Sequence, residues 1–257
     1  MNIYVCVKQT VDLQQVRIRK ETREPVLENI PLTLGNIDKN ALEEAVRVKE
    51  KLGGKVVAVS AGSEKLDDTI KEALAIGADE AILVADKSLD GAESAVAAKA
   101  LAFALKKAGD ADLILLGEGS ADNYSGQVGP RIAELLDLPQ VTYVSSMEIE
   151  GRTLKAVRSL DDCFETVEVE LPAVVTVVSE INEYRIPSVT QILKAGKKPK
   201  QKLTPAEIGL EAAAVSVATI SNLAPEQDRK RVLFQEGVDK DVANLVKALE
   251  ADGLVRR

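Results

Sequence analysis

The chain has 257 residues, 46% hydrophobic and 29% charged, the composition of a soluble globular protein long enough to bury a sizeable core. Its net charge of −8 argues against nucleic acid as a partner, because binding a phosphate backbone needs a basic surface. It contains no histidine, which removes Ser–His–Asp and Cys–His nucleophile activation and every His-ligated metal. Cys6 and Cys163 lie too far apart for a metal or redox spacing, so neither a metal site nor a disulfide is expected. No stretch approaches ~18 uninterrupted apolar residues, so no transmembrane segment is expected. The opening MNIYVCVKQT starts on a strand-like run without a basic leader, and a reducing cytoplasm is the simplest compartment. No catalytic side-chain group stands out, so any hard chemistry falls to a bound cofactor.

Strands and helices alternate through the first half. Ile3–Val7 is an apolar strand, and Val16–Ile18 with Pro25–Leu27 forms a small hairpin around the charged turn KETRE. Ala41, Ala45, Val48 and Leu52 share one helical face, with Asp38 or Asn40 as the expected cap and Glu43 in box position to Asn40. Lys55–Ser60 is the next strand. Leu66, Ile70, Ala73 and Leu74 mark a helix closed by Gly77, and Ala81–Val84 returns as a strand. Ala97, Leu101, Ala104 and Ala108 make an alanine-rich helix before the strand Leu113–Leu116. Val128, Ile132, Leu135 and Leu136 share the face of the helix after it. This alternation predicts an α/β fold, a doubly wound, mostly parallel sheet with helices on both faces, of Rossmann-like adenine-nucleotide-binding type.

The second half changes character. Thr142–Ile149, Leu154–Val157, Phe164–Glu170 and Ala173–Val178 are strand-length pieces with a hairpin turn at Glu150-Gly151-Arg152. The polar segment after Glu180 holds a short helix, Val189–Leu193, among lysines 194, 197, 198, 200 and 202. Its composition fits either a solvated linker or an exposed partner-recognition loop. Ala212–Ile220 is apolar without the flanks of a core element, and Val238, Val242, Leu245 and Leu249 make a last amphipathic helix. The expected division is an α/β nucleotide-binding domain over 1–202, with a recognition loop and basic segment at 183–202. A C-terminal extension over 203–257 is expected to pack on another chain.

Ligands of such sheets bind beyond the carboxyl ends of the strands, near the reversal of strand order. Val7-Lys8-Gln9, Ser60-Ala61-Gly62, the turn Gly35–Asp38 and the loop after Leu116 offer small or polar residues there. The loop Gly117–Gly126 exceeds the usual ~2–6 residues of a strand-to-helix connection. It ends at a helix start with Pro130 near its head, where backbone N–H groups and the dipole can hold a phosphate. Gly126→Val is expected to crowd that approach. Neither G-x-G-x-x-G nor G-x-x-x-x-G-K-[ST] occurs.

Ala156–Thr176, AVRSLDDCFETVEVELPAVVT, resembles the signature segment of the electron transfer flavoprotein β subunit. It carries basic Arg158, acidic Asp161-Asp162, Glu165, Val167, Pro172 and the apolar Val174-Val175 before a small residue, Thr176. Cys163 departs from the pattern, standing where the family has Gly or an acid. VCVKQTVD, the Asn36-x-Asp38 segment with ALEEAVRVKE, AVSAG, ALAIGADEAILV and the DNYSGQVGP loop extend the resemblance in order. The nitrogen-fixation-associated members look closest at that loop.

The resemblance implies a subunit paired with an α partner that holds a flavin, carrying electrons from dehydrogenases or NADH to a quinone reductase or a low-potential acceptor. It implies an adenine nucleotide in this chain. That nucleotide is AMP in simple carriers and a second FAD in members that split the electron pair of NADH by bifurcation, and the bifurcating type is favoured. Such a chain is an electron-carrier subunit rather than a stand-alone enzyme. The cofactor-binding positions carry over to Cys6, to Asn36, Ile37, Asp38 and Lys39, and to Ala61. The loop adds Gly117, Glu118, Gly119, Ser120, Ala121, Asp122, Asn123, Tyr124, Ser125, Gly126, Gln127 and Val128. The recognition loop carries over to Arg185, Ile186, Pro187, Ser188, Val189, Ile192 and Leu193, with Val189 where Leu is common. The rival expectation is a universal-stress-type adenine-nucleotide-binding module, whose ordinary size of ~150 residues fits the long tail poorly.

Overall fold

The computed structural model describes residues 1–211, 217, 219–226 and 230–255. Strands β1 (Asn2–Cys6), β2 (Gln9–Val11), β3 (Arg17–Ile18), β4 (Pro25–Val26) and β5 (Leu32–Leu34) precede helix α1 (Asn36–Leu52). Then β6 (Lys55–Gly62), α2 (Leu66–Ile76), β7 (Glu80–Ala85), α3 (Ser94–Ala108), β8 (Leu113–Gly117) and α4 (Val128–Leu136) alternate. β9 (Gln140–Glu150), β10 (Thr153–Ser159), β11 (Phe164–Glu170) and β12 (Ala173–Val177) follow, then α5 (Val189–Ala195), β13 (Lys200–Leu203) and α6 (Val238–Ala251).

Among the described residues, one nine-stranded sheet runs in the order β11-β10-β9-β12-β8-β1-β6-β7-β13. Neighbours from β9 to β13 in that order pair in parallel. The β9–β10 and β10–β11 pairs are antiparallel and form the added hairpin region. The short pairs β2–β5 and β3–β4 stand outside the sheet. This is the doubly wound, mostly parallel architecture that the alternating pattern predicts.

The central strands are continuous apolar runs because helices cover both faces. Val5, Ala41, Ala45, Ile70, Leu74 and Leu115 belong to the core on the α1 and α2 side. Tyr4, Cys6, Ala98, Leu101, Leu116 and Ile132 belong to the core on the α3 and α4 side. Each large aliphatic side chain buried there contributes ~1.5–3 kcal/mol. Register sets the functional end of the sheet: Ile3 to Cys6 pair with Val56 to Val59 on one side and with Leu113 to Leu116 on the other. The connection through α1 leads from β1 toward β6, whereas β8 lies across β1, so a crevice opens between the ends of β1 and β8.

Two local expectations are corrected. Helix α1 begins at Asn36 with Gly35 as its N-cap, so neither Asp38 nor Asn40 caps it and Glu43 completes no box. The side chains of Asp38 and Asn40 reach out of the helix to other segments instead. The lysine-rich run is not a solvated linker, because it includes β13, which pairs in parallel with β7 through Lys200–Leu203. A boundary at residue 202 falls inside this strand, and the turn Ala206–Ile208 behind it buries Ile208 in the core. Most of Ala212–Ile220 lies outside the described residues; Val217 and Ile220, within it, are exposed. Helix α6 leaves Val238, Val242, Leu245 and Val246 exposed.

Lys198 shows why the run is ordered. Its Nζ donates to the Leu74 carbonyl at 2.7 Å and the Ala78 carbonyl at 2.6 Å, at the C-terminal end of α2. Carbonyls there lack intrahelical partners and the dipole favours a cation. Lys200 pairs with Asp67 at 2.6 Å. Lys198→Ala is therefore expected to cost about 1–3 kcal/mol by orphaning two carbonyls. Amide hydrogen exchange should show β13 loosening before the central strands; identical exchange in both proteins contradicts this role.

Candidate functional site

The crevice is closed at its base by one carboxylate. Asp38, in the first turn of α1, accepts the Lys8 N–H on Oδ2 at 2.8 Å and the Gly117 N–H on Oδ1 at 3.3 Å. Lys8 follows β1 and Gly117 ends β8, so Asp38 ties the two diverging strand ends together. The fit requires glycine on both sides. A Cβ would lie 2.8 Å from Asp38 Oδ1 at Gly117 and 2.7 Å from Oδ2 at Gly35, closer than real contacts allow. Asp38 is 8% exposed. Burial raises its pKa to about 7; the two N–H bonds and the Lys8 charge oppose this, and the Asp122 charge adds to it. Cys6 is buried beside it, and burial, then the Asp38 charge, pushes its thiol pKa up. It is a small protonated filler rather than a nucleophile.

Lys8 carries the link onward into the loop. Its Nζ lies 3.2 Å from Ser120 Oγ and 2.8 Å from each carboxylate oxygen of Asp122. Burial works against the Asp122 charge, but hydrogen bonds from Lys8 and Ser120 outweigh it and hold the carboxyl below its ordinary value. Two loop amides are used internally, Asn123 and Tyr124 donating to the Ser120 carbonyl at 3.2 and 2.7 Å. The Gln127 amide turns to Ser125 Oγ at 3.4 Å. Among the described residues, the amides of Ser125, Gly126, Val128 and Gly129 donate to no protein group. Between Asn123 and Gly129 these four N–H groups are free for an anion at the head of α4.

Tyr124 folds back over Gly119, where a Cβ would stand 3.1 Å from its ring. Its hydroxyl donates to Glu118 Oε1. Glu118 Oε2 is buried and, among the described residues, is the one buried side-chain polar atom with no hydrogen-bond partner. Burial, then the Glu180 charge, raises the Glu118 pKa. A buried acceptor of this kind asks for an O–H or N–H donor.

The remaining predicted cofactor positions divide. Ile37 packs against Gly117, a Cβ there lying 3.1 Å from its own Cβ, and Asn36 is exposed at the helix head. Ala61 is half-buried at the end of β6, and Ala121 is exposed in the loop. Lys39 turns elsewhere, pairing with Glu72 at 2.7 Å with its Nζ 5.8 Å from the centre of the Tyr184 ring. Gln127 holds Arg131 at 2.8 Å across the first turn of α4.

The signature segment is structural. Arg158 donates to the Thr142 carbonyl at 2.9 Å and to Thr142 Oγ1 at 3.1 Å, and pairs with Glu165. Thr176 Oγ1 accepts the Tyr143 N–H at 3.2 Å, and Tyr143 has a φ of 59°. Together these fix the irregular register of β9 between β10 and β12, beside the loop. Gly129 closes the contact, since a Cβ there would lie 2.3 Å from Thr176 Cγ2. Pro172 follows a cis peptide bond, and Val174 and Val175 are buried. Cys163 is exposed in the β10–β11 turn.

In the predicted recognition loop, Ile186, Val189, Ile192 and Leu193 are exposed, while Ser188 caps α5 in a capping box with Gln191. Arg185 points the other way, to Glu43 and Glu50 of α1. In the sequence Lys8 reads only as a strand-end polar residue and Glu43 only as a box partner of Asn40; tertiary pairing reveals that Lys8 holds Asp122 and Glu43 holds Arg185. Among the described residues no acidic, Cys or His cluster suits a metal ion, and no helix is long and apolar enough to cross a membrane.

The Asp38 geometry has a pH signature. Its folded-state pKa of about 7 lies above the unfolded value of ~4, so the native state holds this proton more tightly. Stability relative to the non-titrating Asp38→Asn variant is expected to fall as pH rises from ~4 to ~7 and then level off. Denaturant titrations of both proteins across that window measure it. A difference independent of pH contradicts the assignment.

The electron transfer flavoprotein domain family matches residues 26–208. The electron transfer flavoprotein subunit beta of Thermoanaerobacterium thermosaccharolyticum is 40% identical over 259 residues, covering 98% of each chain. The subunit of the same name from Clostridium acetobutylicum is 37% identical, covering 94% of this chain and 93% of its own. The caffeyl-CoA reductase-Etf complex subunit CarD of Acetobacterium woodii is 36% identical, covering 88% and 86%. The chain belongs to the electron transfer flavoprotein family.

Proposed function

We propose that this chain is the β subunit of a heterodimeric electron transfer flavoprotein, taking electrons from dehydrogenases or NADH and passing them to a quinone reductase or low-potential acceptor in the cytoplasm. The observation that carries this reading is the crevice between β1 and β8, tied by Asp38 and rimmed by unengaged amides at the head of α4. It stands in a chain that aligns over almost its whole length with a curated β subunit. The crevice is assigned to an adenine nucleotide, AMP or FAD. The residues fit one. The amides of Ser125, Gly126, Val128 and Gly129 suit a phosphate, and Glu118 Oε2 suits a hydroxyl or amine donor. A bound flavin supplies redox chemistry, so the chain needs no acid–base side chain, in keeping with its lack of histidine.

The α subunit is assigned as the cover for the extension beyond the core turn at Ala206–Ile208, where Leu233, Val238 and Val242 are exposed. The dehydrogenase docking surface is assigned to the apolar knob of Ile186, Val189 and Leu193. A universal-stress-type module fits less well, since the family match runs through the hairpin region and the knob. The bifurcating form, with a second FAD here, is favoured by the segments VCVKQTVD, KNALEEAVRVKE and SGQVGP.

Denaturing the purified heterodimer should release FAD or AMP from this subunit; release of neither overturns the nucleotide assignment. Gly126→Val tests the placement. Gly126 has a φ of 64°, which strains any side chain placed there, and a side chain would also stand in the way of a ligand approaching its amide. That strain, about 1–2 kcal/mol, is expected to lower nucleotide retention, and unchanged content contradicts the placement.

Titration with NADH separates the two forms. Two flavins per heterodimer, one reduced directly by NADH, is the expected result. One flavin plus one AMP, with no reduction by NADH, leaves a simple carrier.

A further inference from the structure

Beyond Asp38 along α1, Asn40, Glu43, Arg47 and Glu50 recur at helical spacing and meet the segment that leads to the apolar knob. Asn40 Nδ2 donates to the Asn182 carbonyl at 2.7 Å, and Asn182 Nδ2 returns a bond to the Asn40 carbonyl at 3.1 Å. Glu43, 3% exposed, takes four bonds. Its Oε2 accepts the Arg185 backbone N–H at 3.1 Å and Nε at 2.7 Å. Its Oε1 accepts Arg185 Nη2 at 3.0 Å and Arg47 Nε at 2.9 Å. The Arg185 guanidinium also reaches both oxygens of Glu50, at 2.8 and 3.1 Å. Burial opposes the Glu43 charge, but the Arg185 bonds outweigh it and hold its pKa below the usual value.

This arrangement is dense where the next residues are bare. Ile186, Val189 and Leu193 are 89%, 74% and 72% exposed. Helix α5 spans seven residues, too few to be stable without support. It leans on α2 through its buried Ala195 and is capped by Ser188. A guanidinium forked between two carboxylates fixes direction as well as distance, which a lysine ammonium does not. With its donors committed to α1, Arg185 has little left for a partner.

We propose that Arg185 is a positioning residue, clamped by Glu43 and Glu50 so that the knob Ile186–Leu193 is held ready for a flavin dehydrogenase. This rests on the docking surface assigned above. The clamp lowers the ordering cost of association and does not touch the nucleotide crevice. Mutation therefore separates docking from redox chemistry.

The test uses the intact heterodimer as electron acceptor for an acyl-CoA dehydrogenase reduced by its acyl-CoA, with a dye as terminal oxidant. Arg185→Ala is expected to raise KM for the heterodimer about fivefold or more with kcat within about twofold. Flavin and nucleotide content and reduction by dithionite should stay at wild-type values. Glu43→Gln should move KM in the same direction. The double variant should not exceed the larger single effect, because both break one clamp. Glu50→Gln, at the exposed end, keeps the test valid should Glu43→Gln not fold, and must also raise KM.

A rise for Arg185→Ala with Glu43→Gln and Glu50→Gln at wild-type KM would make Arg185 a direct contact and overturn the clamp. Unchanged KM in all variants, or parallel loss of kcat and bound nucleotide, also overturns it. A wild-type heterodimer that the dehydrogenase fails to reduce instead overturns the docking surface, and the clamp's role with it.

Discussion

At the point where this sheet reverses its strand order, two strand ends must stay together while their chains depart in different directions. Asp38 meets that demand with one carboxylate, accepting an N–H from Lys8 after β1 and another from Gly117 at the end of β8. Each such bond is worth ~0.5–1.5 kcal/mol to a neutral acceptor and ~1.5–3 kcal/mol to an ionised one, and burial, which raises the Asp38 pKa to about 7, draws against the ionised form. The same contact excludes a Cβ at Gly35 and Gly117. It also fixes the backbone of Lys8, whose side chain ties Ser120 and Asp122 of the loop, so one buried acid links both strand ends to the loop.

Helix α1 is then a strut with two loads. Its first turn holds the crevice, and later turns hold Asn182 and Arg185. A single rigid element is thus shared by the proposed nucleotide site and the root of the apolar knob. The signature segment braces the opposite flank of the loop. Arg158 and Thr176 secure Thr142 and Tyr143, the latter in a left-handed conformation that costs a non-glycine residue energy unless its surroundings enforce it. The pattern by which the family is most readily seen therefore encodes a strand irregularity, one loop away from the proposed nucleotide site.

Much of this was legible in the chain itself. The buried strands are unbroken apolar runs, and the helices show one apolar stripe with glycine stops, so elements and winding followed from periodicity. The Gly117–Val128 loop stood out by length. What was not legible depended on partners distant in sequence. Glu43 reads as the second half of a capping box with Asn40, yet it is buried against an arginine 142 residues later. In β13, KQKL, Leu203 is buried while Gln201 and Lys202 stay exposed, so an ordered edge strand carries the composition of a linker. Asp38 resembled a helix cap because caps and strand ties use the same residue type, and only the register of β1 against β8 distinguishes them.

A last consequence concerns charge. An acidic protein offers a phosphate-bearing ligand a crevice containing Asp38, Glu118 and Asp122, which on formal charges alone would repel it. The surroundings of each carboxyl differ. Asp122 is paired with Lys8. Burial raises the pKa of Asp38 to about 7 and that of Glu118 above its ordinary value, and Glu118 is left with an acceptor oxygen to satisfy. The groups left to face an anion are backbone amides at a helix head, whose partial charges are fixed by the fold and unaffected by pH. The proposed adenine-nucleotide site therefore needs no basic patch, and the net charge of −8 does not count against it.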